Sequence, residues 1–169
     1  MLKSVAARRG RGDEGFTLVE LMVVVLVLAI LMAIAIPTFL GARDRGQDRA
    51  AQSTLRNTLT AARIAYGDAA TPSYASITTA SIRLIEPQYT YVGSATRSAN
   101  EEQVSLAVSA QSFGAAVLSD SGTCYLIRDV QDDANVALIG TFYGKTTTVA
   151  NCTGAFALTV ANTPANGRW

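Results

Sequence analysis

The segment Gly15–Leu40 reads GFTLVELMVVVLVLAILMAIAIPTFL, and the rest of the chain has to be arranged around it. No residue from Leu21 to Ile36 is polar, and only Thr17, Glu20, Pro37 and Thr38 interrupt the apolar run from Phe16 to Leu40. At 1.5 Å per residue a helix over Phe16–Leu40 is about 37 Å long, enough to cross a hydrocarbon core of about 30 Å. Glu20 is the anomaly. A carboxylate at mid-bilayer costs roughly 2.5–3.5 kcal/mol on insertion scales, so such a residue has a partner and a role, or sits in the headgroup region.

Charge is unevenly placed around this segment. Of 14 basic and 13 acidic side chains, residues 1–15 hold Lys3, Arg8, Arg9 and Arg11 against Asp13 and Glu14, leaving ten and eleven beyond them. A basic N-terminal flank stays inside the cell, so the chain after Leu40 is expected outside. An ordinary secretory signal has a core of about 7–15 residues with a small-residue cleavage site after it. Ala33 and Ala35 offer such a site, but the run is longer than that core. Retention of the run, with cleavage before it, is the expectation.

Gly15-Phe16-Thr17-Leu18-Val19-Glu20, directly before an apolar run with a proline near its end, resembles the N-terminus of type IV pilins and their relatives. Asp13 and Glu14 depart from the basic residue more usual before the cut. The resemblance implies cleavage between Gly15 and Phe16 by a prepilin peptidase and N-methylation of the new N-terminus at Phe16. It implies an α+β fold, a long N-terminal helix packed on a C-terminal antiparallel sheet. The partners implied are copies of the chain itself, the peptidase, an ATP-driven assembly machine, and the membrane before assembly. The expected function is a structural subunit of an extracellular filament, with a secretion pseudopilin or minor pilin as the alternative. Glu20 has a physical reason to serve assembly. Cleavage leaves a cationic amine four residues away, and in a bundle of staggered parallel helices one copy's amine can pair with the next copy's Glu20.

The expected organisation is a leader (1–15), a membrane and filament-core helix (16–40), an amphipathic half of the same helix (41–68), a loop between helix and sheet (69–102) and a sheet domain (103–169). Ala51, Leu55, Leu59, Ala62 and Tyr66 recur at helical spacing and predict an apolar stripe, with Arg43, Asp44, Arg45, Asp48, Arg49, Arg56 and Arg63 largely on the remaining surface and Asp44–Arg45–Asp48–Arg49 balanced as a group. Pro37 and Gly41 are expected to break or bend the helix. Thr78–Ile85 predicts a short helix capped by Thr78 or Thr79 and stopped at Glu86-Pro87. Period-two alternation and turn signals predict strands at Val104–Val108, Phe113–Leu118, Cys124–Val130, Val136–Tyr143 and Ala155–Val160, with one face wetter than the other. Tyr89–Val92 can begin a further strand, and the tail 161–169 is expected to be loosely ordered.

Outside the cell, Cys124 and Cys152 most simply form one disulfide; two buried free thiols are the alternative. The chain has no histidine, so His-based catalytic and metal sites are excluded, and it has no phosphate-binding glycine loop or nucleophile-elbow motif. Nothing points to a cofactor or to catalysis. Asp129, Asp132, Asp133 and Asn135 form a weak calcium candidate, against a polar hairpin turn as the plainer reading. Asn151-Cys152-Thr153 matches a glycosylation acceptor only formally.

Overall fold

The computed structural model describes residues 15–132 and 139–160. The elements are helix α1 (Leu18–Asp68), a 3-10 turn (Tyr74–Ser76), α2 (Thr79–Ile85), strands β1 (Thr90–Val92), β2 (Gln103–Val108), β3 (Ser112–Leu118), β4 (Cys124–Val130) and β5 (Gly140–Thr146), a 3-10 turn (Val149–Asn151) and α3 (Gly154–Ala157). This is an α+β fold, a long N-terminal helix followed by a mostly antiparallel sheet, as expected. The chain divides into two compact units at Leu40/Gly41.

In the first unit, every described residue from Gly15 to Leu40 is exposed. Helix α1 runs without interruption from Leu18 to Asp68, through Pro37 and Gly41. Pro37 removes one N–H from the ladder, while the Thr38 hydroxyl donates to the Ile34 carbonyl at 3.0 Å.

In the second unit, the five strands lie in sequence order. β1 pairs parallel with β2, whereas β2–β3, β3–β4 and β4–β5 are antiparallel. The sheet therefore reaches back to Thr90, within the Tyr89–Val92 stretch expected to be able to begin a strand. The β3–β4 turn contains Gly122 at φ +88°, a left-handed conformation that glycine adopts without steric cost. The Gly122 N–H donates to the Ser119 carbonyl at 2.9 Å. Thr78 caps α2 in a reciprocal box: its hydroxyl accepts from the Ser81 N–H at 3.1 Å, and its own N–H donates to the Ser81 hydroxyl at 2.9 Å. The helix stops at Glu86 because the residue before a proline is pushed out of helical geometry.

The expected stripe on α1 is buried. Ala51, Leu55, Leu59 and Ala62 pack with Tyr74, Ile82, Val104, Leu106, Phe113, Ala115, Val117 and Ile127 in one apolar cluster, and Tyr66 lies partly buried against it. The opposite face of the sheet is not wet, contrary to expectation. Ala116, Cys124, Leu126, Val130 and Phe142 are covered by Cys152, Ala157 and Val160.

That cover replaces the expected last strand at Ala155–Val160. The segment begins as helix α3, capped by Thr153, whose hydroxyl accepts from the Phe156 N–H at 3.2 Å. Its buried positions are Gly154, Ala157 and Val160. They recur every third residue, not every second. Small residues make the seat. A Cβ on Gly154 would run into the β2 backbone at Leu106 and Ala107, and one on Gly114 would meet the Leu158 side chain at 2.9 Å. The Gly154 N–H donates to the buried Ser105 hydroxyl at 2.8 Å.

The expected strand at Val136–Tyr143 is only partly comparable. Residues 133–138 lie outside those described, and β5 continues past Tyr143 to Thr146. Residues 1–14 of the expected leader 1–15 and the tail 161–169 lie outside the described residues too.

Candidate functional site

Three arrangements follow from this fold: the start of α1, the disulfide, and a polar hub beneath the sheet.

Leu18 is the first residue of α1. Thr17 precedes it, and the Thr17 N–H and hydroxyl both donate to Glu20 Oε2, at 2.9 and 2.8 Å. The Glu20 N–H donates in return to the Thr17 hydroxyl at 3.2 Å. Threonine and glutamate three residues apart thus satisfy two of the backbone donors that a helix start leaves orphaned. The signal was in the sequence as T-x-x-E before an apolar run, a use of Glu20 separate from the expected assembly role. Gly15 and Phe16, at the expected cleavage point, are exposed just ahead of this cap. Beyond it α1 is long and apolar enough to cross a membrane. Burying each Val, Leu, Ile, Met or Phe there is worth roughly 1.5–3 kcal/mol, so this surface demands lipid or protein.

Cys124 and Cys152 form the expected disulfide, with a sequence separation of 28. Both are buried. The bridge ties the start of β4 to the chain just before α3.

The hub centres on Asp129, which is fully buried. Oδ1 accepts from Arg63 Nη2 at 2.5 Å and from the Thr141 hydroxyl at 2.7 Å. Oδ2 accepts from the Tyr74 hydroxyl at 2.6 Å and from Gln131 Nε2 at 2.5 Å. Burial alone would push this carboxyl up. The hydrogen bonds from Arg63, Tyr74, Thr141 and Gln131 outweigh it and hold Asp129 below the usual carboxylate range. Burial, then the bond to Asp129, pushes the Tyr74 phenol well above its ordinary value. Aromatic packing frames the hub: the Tyr74 ring centroid lies 4.6 Å from Tyr66 and 5.7 Å from Phe113.

The hub alters two expectations. Arg63 does not merely face solvent; it supplies the cation that neutralises a buried acid. Asp129 is not available to calcium, because both its oxygens are taken. Asp132 is exposed on its own, and Asp133 and Asn135 lie outside the described residues. Among the described residues no group of three or more His, Cys, Asp or Glu side chains is placed to hold a metal. One sequence signal did point to the hub. Tyr125, Ile127 and Asp129 share one face of a strand, so an inward Tyr and Ile predict an inward Asp.

Comparison with known proteins bears on the N-terminal segment. The family described as "Prokaryotic N-terminal methylation motif" matches residues 10–36. The "Type IV wide pilus major component PilA4" of Thermus thermophilus is 50% identical over 38 residues, which are 22% of this chain and 29% of that protein. The "Type IV major pilin protein PilA" of Myxococcus xanthus is 45% identical over 49 residues, 29% of this chain and 22% of that protein. These matches span less than a third of either relative. No solved structure matches the chain significantly. A methylation motif and a likeness to two type IV pilins thus mark the N-terminal end of the chain, which leads as one helix into a mostly antiparallel sheet.

Proposed function

We propose that this chain is the structural subunit of a type IV pilus. The observation that carries the proposal is the continuous apolar surface of α1 from Leu18 to Leu40, exposed on every side and headed by a single acid. Before assembly this segment lies in the cytoplasmic membrane, with residues 1–15 inside and the sheet unit outside. A prepilin peptidase cuts between Gly15 and Phe16, and the new amine at Phe16 is methylated. The subunit then leaves lipid for a bundle of sibling helices, driven by an ATP-powered assembly machine. Lipid and helix surface are equally apolar, so packing and charge pairing supply the specificity of that exchange.

Glu20 directs the pairing. The Thr17 cap holds its carboxylate at the helix start, four residues from Phe16, through Oε2. The mature amine of a neighbouring copy completes the pair and sets the axial register. Pro37 and Gly41 are the points where α1 loosens in the fibre.

Replacement of Glu20 by Gln tests the proposal. It keeps the side-chain size and removes the charge. Membrane insertion stays at wild-type levels and surface fibres are largely lost. Fibres in normal amount from the Gln variant refute the assembly role.

A further inference from the structure

On the second half of α1, Arg45, Arg49 and Arg56 are exposed. At 100° per residue they fall within about 40° of one another around the axis, and at 1.5 Å per residue they form a basic stripe about 17 Å long. Arg45 and Arg49 make no ion pair among the described residues.

An acidic patch lies at the same level of the helix. The Ser121 hydroxyl donates to Asp48 Oδ1 at 2.5 Å, which fixes the β3–β4 turn beside Asp48. Next to Ser121, the Asp120 N–H donates to Glu101 Oε1 at 3.4 Å. Burial pushes the Glu101 carboxyl up; the Asp120 N–H opposes this, and the charges of Asp120, Asp48 and Glu102 add to it. The same unit thus carries an acidic patch that repels itself and a basic stripe on its helix.

We propose that the Arg45–Arg49–Arg56 stripe of one copy docks the Glu101–Asp120 patch of a second copy. Charge complementarity and level argue for this partner. The patch sits at the height of Asp48, which lies about 4.5 Å along the axis from Arg45 and about 12 Å from Arg56. Two parallel copies offset by up to about 12 Å along α1 bring one copy's patch alongside the other's stripe. The contact adds an electrostatic clamp between the outer units to the packing of the apolar helices. This inference rests on the polymer reading above.

The test uses full-length chain in cells, with sheared surface fibre as the readout and membrane-held, disulfide-bonded subunit as the folding control. Arg45→Glu with Arg49→Glu reverses the stripe, and Glu101→Arg with Asp120→Arg reverses the patch. Each double variant should yield at least about tenfold less fibre, since like charges face each other across the contact. All four changes together should recover most of the yield. Wild-type fibres should also shed subunits faster in salt of about 1 M than in about 0.05 M. Wild-type-like yields from the double variants, no recovery in the fourfold variant, or salt-indifferent wild-type fibres overturn this contact alone. Absence of fibres from the wild type overturns the polymer reading and this contact with it.

Discussion

Arg63 Nη2 on α1 stands 2.5 Å from Asp129 Oδ1 on β4, and the carboxylate end of this pair is fully buried while the arginine remains half exposed. The pair joins residues 66 apart in sequence and ties the helix to β4. Removing one partner of such a pair leaves the other uncompensated, which costs more than the pair itself is worth.

Arg63→Ala should therefore destabilise the sheet unit by about 2–3 kcal/mol, less than a fully buried pair would lose because water reaches the arginine. Thermal unfolding of the full chain in detergent measures this. A loss well under 1 kcal/mol would show that Tyr74, Gln131 and Thr141 satisfy Asp129 without the cation.

The same hub predicts the direction of acid sensitivity. Asp129 has a lower pKa folded than unfolded, so the unfolded chain binds more protons as the pH drops. The stabilisation is fully present above the unfolded aspartate value of about 4. It is lost as the pH falls through the lowered folded value. Denaturant midpoints measured from pH 6 down to pH 2 should decline below about 4, and Asp129→Asn should flatten part of that decline. An unchanged slope in the Asn variant removes Asp129 as its source.

How far these features could be read from the sequence depends on the kind of signal. The stripe Ala51–Leu55–Leu59–Ala62 was legible because large and small apolar residues repeat at the helical period and nothing else competes. Strands β2, β3 and β4 were legible from alternation between turn residues. The back cover was misread because Phe156, Leu158 and Val160 alternate as a strand would, while the burial follows Gly154, Ala157 and Val160. What settled the matter was room for close approach at Gly154 and Gly114, which depends on the distant strands they meet. Arg63 and Asp129 were assigned separately, to a surface and to a loop, since neither position names its partner. At the N-terminus, Glu20 was recognised at once, but its bond to Thr17 was not.

Glycine at position 154 should be irreplaceable for a steric reason. Gly154→Ala places a methyl against the β2 backbone, and overpacking of this kind typically costs about 1–3 kcal/mol. Gly93→Ala, which meets nothing within 4 Å, is the control and should change stability little. Equal unfolding temperatures for the two variants would mean that the α3 seat yields easily.

Loss of the Cys124–Cys152 bridge should loosen the same cover. Closing a loop of this length is worth roughly 3–4 kcal/mol in the chain-entropy model. The double Ser variant should unfold earlier, and hydrogen exchange should rise first at residues 152–160, where Gly154, Ala157 and Val160 cover the sheet. Protection retained across that segment would show that the glycine seat holds the cover without the bridge.

Mass spectrometry of subunits from fibres sheared off the cell surface tests the central claim most directly, that one apolar helix serves first as membrane anchor and then as fibre core. The subunit should begin at methylated Phe16 and retain the whole apolar run to Leu40. Subunits that still carry Met1, or that have lost the run, contradict it.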